Sequence, residues 1–301
     1  MMPLTMGDKR TGGVLLMLLI LRLAIPASLS AGGHPAVPPD TTGSLWFLHG
    51  SETEAELFIG REGYRHAGLN FSRKAWGGTF GISAHVVQES FDEPVFPSLG
   101  LELRRELSDR LELGVFTFGY LPTEKQHAWA VGAHATHAVH ASEAAEIRLF
   151  ANSVYARVQA TDLATAEPVR VGHGMIFGGV QVESGSFTAT VFGSRSGFDR
   201  ETHGIETHVD LGEMTHFAAY ENTDGFASSS LGAEVTASWN ERFALTATYA
   251  AMRFDRHSAR HSAVLRPSVR VGRFELFSGV QLLRGGRGDN DIVMAGIGRR
   301  W

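Results

Sequence analysis

The chain of 301 residues has no cysteine, so no disulfide braces it and no thiolate is available for metal binding or nucleophilic chemistry. It also lacks a basic surplus. Its 27 Lys and Arg stand against 32 Asp and Glu, a formal charge of -5, which gives no electrostatic footprint for nucleic acid. After the first thirty residues it has no apolar run near the ~20 residues that carry a helix across a bilayer. A membrane location for the rest of the chain therefore requires strands closed into a barrel. Phosphate-binding glycine loops, the helical metalloprotease motif and the G-x-S-x-G stretch of hydrolases are all absent from the sequence.

What is present begins with a export-signal pattern. Lys9 and Arg10 precede an apolar run from Val14 to Leu21, extended by Leu23, Ala24 and Ile25. Pro26 and the small residues Ala27, Ser28, Ser30 and Ala31 follow, as signal peptidase requires. Residues 1–30 are expected to be a removed signal peptide. Residues 31–51, with Pro35, Pro38 and Pro39, are expected to be a flexible periplasmic segment in which Leu45 to Leu48 is apolar.

From Glu52 onward the pattern has period two. Leu99, Leu101 and Leu103 alternate with Gly100, Glu102 and Arg104; Leu231, Val235 and Trp239 alternate with Gly232, Glu234 and Asn240; Leu276, Val280 and Leu282 alternate with Glu275, Gly279 and Gln281. Successive side chains of a strand point to opposite faces, so each run has one apolar face and one polar or small face. Tight connections such as Ser108-Asp109-Arg110, Glu183-Ser184-Gly185, Leu211-Gly212-Glu213 and Gly272-Arg273 alternate along the chain with longer polar ones. Outer-membrane barrels have this grammar of short periplasmic turns and long outer loops. At roughly 31 residues per strand pair, residues 52–301 hold about sixteen strands of an all-β, antiparallel up-and-down barrel, with 14 or 12 as alternatives.

The terminus Ala295-Gly296-Ile297-Gly298-Arg299-Arg300-Trp301 resembles the last strand of bacterial outer-membrane β-barrel proteins. The resemblance is to that class alone. It implies that Trp301 is the assembly signal read by the barrel-assembly machinery. It also implies location in the outer membrane with lipid around the barrel. Arg299 departs from the usual apolar residue two positions before the end.

Alternation places Glu102, Arg104, Glu106, Glu112, Arg266, Arg270, Glu275 and Gln281 on inward faces, where they are candidates to line a pore. The rival expectation is that the same charges pair with one another and fill the lumen. His134 and His140 lie about 20 Å apart on one strand, so they do not form a metal clamp; scattered wall histidines are the better reading. Arg287-Gly288-Asp289 reads as a turn. No catalytic residue, metal site or cofactor is assigned. The function expected is a passive channel for small hydrophilic solutes, with an export barrel or a lipid-modifying enzyme as the alternatives.

Overall fold

The computed structural model describes residues 52–59, 65–75, 77–88, 96–120, 127–142, 144–162, 164–202, 205–206, 227–240, 242–254, 259–285 and 290–300. They form β1 (Glu52–Ile59), β2 (Arg65–Ala75), β3 (Gly78–Gln88), β4 (Phe96–Ser108), β5 (Leu111–Tyr120), β6 (Ala128–Ala141), β7 (Glu146–Asp162) and β8 (Pro168–Ser184). The order continues with β9 (Phe187–Phe198), β10 (Ile205–Glu206), β11 (Ala227–Trp239), β12 (Phe243–Phe254), β13 (Arg260–Val271), β14 (Phe274–Arg284) and β15 (Asn290–Arg300).

Every pairing is antiparallel, and consecutive strands pair from β1 to β9. β9 then pairs with β11, the ladder runs on to β15, and β15 pairs with β1. Fourteen of the fifteen described strands thus form a continuous ring. The remaining one, β10, pairs only with Thr161 and Asp162 of β7. A ring leaves no long unpaired edge, which is what a sheet needs where water is excluded.

The described ring has fourteen strands, two fewer than the sixteen expected. Two causes account for it. The strands β7 and β8 are 17 residues each, longer than the average assumed. The direct β9–β11 ladder also leaves no place between them for the hairpin expected around Leu211-Gly212-Glu213, a turn that itself lies outside the described residues. Fourteen was one of the alternatives.

The connections sort by end. Residues 76–77, 109–110, 142–145, 185–186, 240–242 and 272–273 join strands at one end; 60–64, 89–95, 121–127, 163–167, 199–226, 255–259 and 285–289 join them at the other. Two-residue hairpins splay twisted strands unless a central residue adopts positive φ. Gly185 (φ 56) and Gly272 (φ 61) supply it at the short-turn end.

Leu57, Leu69, Leu99, Leu101, Leu103, Val115, Val131, Val191, Leu265, Leu276, Val280 and Val293 are all exposed, and register places them on one continuous face of the ring. Trp239, Phe243 and Phe274 lie on that face beside the short turns, and Trp129, Tyr155 and Tyr249 lie farther toward the long loops. In water such a surface would drive aggregation. Against hydrocarbon it is the stable surface of a transmembrane barrel with aromatic girdles. Leu231 is exposed on this face, whereas Val235, four residues on, is only 7% exposed.

Candidate functional site

The other face of the strands points into the ring and, where described, is mostly buried or half-buried, so it is the inner wall. Its composition changes around the circumference. From β5 to β8 it carries buried apolar clusters beside polar and charged residues: Phe116, Phe118, Ala130, Val154, Val158 and Met175 form one. Phe150, Phe177 and Phe192 form a second with Ala250 and Met252 of β12. Ala160 and Val171 pack with Ile205, so β10 adds apolar cover to the long-loop end of this sector.

From β11 to β14 the wall is hydroxylic and charged. Thr236 and Thr246 share a hydrogen bond of 2.9 Å, and the Thr248 hydroxyl donates to Glu234 Oε2 at 2.7 Å. Gln281 Nε2 donates to Ser262 Oγ at 3.0 Å. The Arg266 guanidinium lies 5.3 Å from the centre of the Phe277 ring, a cation–π distance. Arg270 and Glu275 face each other as register partners beside the short turn.

All eight residues expected on inward faces share the inner-wall parity. They fall into two groups, each drawn from consecutive strands. Glu102 and Arg104 on β4 join Glu112 on β5 and His134 on β6. Arg104 Nε stands 3.3 Å from Glu102 Oε2, His134 Nδ1 stands 3.3 Å from Glu102 Oε1, and His134 Nε2 stands 3.9 Å from Glu112 Oε1. The imidazole lies over the Cα of its register partner Gly114, which has no side chain to displace it. Glu106 faces Glu112 across the same ladder and is exposed.

The second group, on β13 and β14, holds Arg266, Arg270, Glu275 and Gln281. Glu102, Arg104 and Gln281 are almost wholly covered. Glu106 is exposed, and Glu112, Arg266, Arg270 and Glu275 are half-buried. A solute in the ring would reach the latter five side chains first.

Three further charged residues belong to the first group. Arg148 Nε donates to Glu146 Oε1 at 2.8 Å, and Arg148 Nη1 stands 3.6 Å from Glu183 Oε1. All lie on the inner face near the short turns of β7 and β8, with side chains 21–30% exposed. Arg148 alternates with Ile147 and Leu149 in the sequence, but the apolar residues on both faces of β7 hide that signal. His134 does not stand out from the other histidines in the sequence because its partners come from β4 and β5.

Near the short-turn end, the β4–β8 side carries five carboxylates (Glu102, Glu106, Glu112, Glu146, Glu183) against two guanidiniums (Arg104, Arg148). The β13–β14 side carries two guanidiniums (Arg266, Arg270) against one carboxylate (Glu275). In the order of the ring, β14 stands seven strands from β6, which is half-way round. The two sectors therefore face each other with charge imbalances of opposite sign.

No protein-family model matches the chain, and no curated protein matches it. Solved structures do match. A deletion mutant (deltaS2) of the TodX monoaromatic hydrocarbon channel aligns with a TM-score of 0.53 at 8% identity, covering 85% of this chain and 91% of that one. A second TodX deletion mutant (deltaS2S3) gives 0.51 at 6% identity, covering 82% and 88%. The KdgM porin gives 0.42 at 6% identity, covering 83% and 99%. What the chain shares with the two TodX barrels is their fold. Trp301 and Arg287-Gly288-Asp289 lie outside the described residues, as do residues 1–30, expected to be a signal peptide, and the segment 31–51.

Proposed function

We propose that the chain is an outer-membrane channel for passive passage of small hydrophilic solutes. One observation carries this reading: a continuous ring of strands, apolar outside, that keeps ionisable side chains partly exposed on its inside. A charged group within a bilayer is stable only where it meets water or a partner. Half-exposed Glu112, Arg148, Arg266 and Arg270 on the inner face point to a hydrated mouth at the short-turn end. The signal peptide and Trp301 fit the same reading as an export address and as the signal for the barrel-assembly machinery.

The apolar sector from β5 to β8 favours a second reading, passage of apolar solutes. TodX, whose barrel aligns with this one, is described as a monoaromatic hydrocarbon channel. Liposomes reconstituted with the full chain separate the two. Swelling in isosmotic pentose or in a small amino acid supports the hydrophilic channel. Uptake of a monoaromatic hydrocarbon without any sugar-driven swelling supports the second reading. Liposomes indistinguishable from protein-free ones in both assays contradict both.

A further inference from the structure

The inner wall holds four phenylalanines whose rings are seated on glycines. Phe116 lies on Gly132, Phe150 on Gly179, Phe192 on Gly232 and Phe277 on Gly296, each ring occupying the place a Cβ of the glycine would take. In every case ring and glycine are direct register partners on neighbouring strands. Each ring sits on a strand that starts at a short turn (β5, β7, β9, β14) and leans toward the strand that follows across a long connection (β6, β8, β11, β15). The lean therefore has one sense around the barrel.

A phenylalanine on an inner wall has two directions open to it. It can stand into the bore, or it can lie against the wall if the neighbouring strand leaves room. Glycine alone leaves that room, because the ring then covers bare backbone. The covered backbone loses water and gains dispersion contacts from the ring face. Phe116, Phe150 and Phe192 are all less than 10% exposed, as rings laid on a wall should be. The space over these four glycines is thus filled from the side.

We propose that these ring-on-glycine pairs set the width of the bore, so that Gly132, Gly179, Gly232 and Gly296 are width-determining positions without having side chains. The inference rests on the channel reading. Any side chain at the glycine denies the ring its seat and turns it inward, narrowing the passage; removing the ring alone leaves the passage nearly unchanged.

Single-channel conductance of purified full-length variants tests this, with heat-modifiable migration on gels as the check that each barrel is assembled. Gly232→Ala should lower conductance by about twofold, because pore radius governs ion flow. Phe192→Ala should change it by less than about a fifth, and Phe192→Ala with Gly232→Ala should return it to the wild-type value. A Cβ at Gly232 also meets the Tyr249 carbonyl at 2.7 Å, so Gly232→Ala alone can fail to assemble. Phe192→Ala and Phe116→Ala then decide. Conductance rising by about half or more in either would place the ring in the bore and overturn the proposal. A wild type that assembles but never conducts ends the channel reading and the width role with it. The seating itself is then read from melting temperatures: additive effects of Phe192→Ala and Gly232→Ala would contradict it, and coupled effects would support it.

Discussion

The two halves of the inner wall solve the same problem by different means. Between β5 and β8 the strands meet through Phe118, Val154, Val158, Met175 and Phe177, so away from the ion pairs of Arg148 the sector is packed by apolar contact. Between β11 and β14 they meet through Thr236, Thr246, Thr248, Glu234, Ser262 and Gln281, so it is held by side-chain hydrogen bonds. The outer faces of the two halves do not differ in this way: Val115, Val131 and Ile176 on one side match Leu231, Leu265 and Leu276 on the other. Lipid imposes one chemistry on the outside of a barrel, whereas the inside is free to vary strand by strand.

The contrast predicts a graded set of stability losses. Phe177→Ala removes a buried ring that lies 5.7 Å from the Phe150 ring and 5.8 Å from the Phe192 ring. It should destabilise the barrel by about 3–5 kcal/mol, read as a shift of the denaturant midpoint in folding into lipid vesicles. A loss below ~1 kcal/mol would show that the apolar sector is loosely packed and the comparison mistaken.

On the outer face, Ile176 is 68% exposed and sits midway along β8. Ile176→Arg should cost about 2–4 kcal/mol, the range for a cation at the bilayer midplane. A neutral result in vesicles would mean that this face does not meet hydrocarbon.

In the hydroxylic half, Thr236→Val breaks the bond to Thr246 and should cost only about 0.5–1.5 kcal/mol. Should it equal the loss from Phe177→Ala, the two sectors would not be held by different forces.

The smallest effect belongs to Arg148→Gln. Its ion pairs to Glu146 and Glu183 are partly in water, so its loss should cost less than ~1 kcal/mol. That loss should shrink further as salt is raised from low to physiological concentration.

The same contrast explains what could be read from the sequence. The alternation of Leu99, Leu101 and Leu103 with Glu102 and Arg104 sets the faces of β4 because one face is polar. Strands β11, β12 and β14 alternate in the same way. In β7 and β8 the alternation is lost. Val154 faces inward and Tyr155 outward, and both are apolar, so period two no longer marks the faces. The apolar inner sector was therefore not legible, and neither was Arg148 within it.

The cluster of Glu102, Arg104, Glu112 and His134 escaped for a different reason. Its members are neighbours only once β4, β5 and β6 are in register, and register is a property of pairs of strands. The seats of the phenylalanine rings depend on register in the same way.

The central claim is that the ring encloses a water-filled path bordered by the charges of β4–β8 on one side and β13–β14 on the other. Ionic current through single proteins in a planar bilayer, with reversal potential measured under a salt gradient, tests it most directly. The account predicts discrete conductance steps in the wild type and, in Arg266→Gln with Arg270→Gln, a reversal potential shifted toward cation selectivity at undiminished step frequency. A fully assembled wild-type barrel that passes no current, or a double variant with unchanged selectivity, would contradict it.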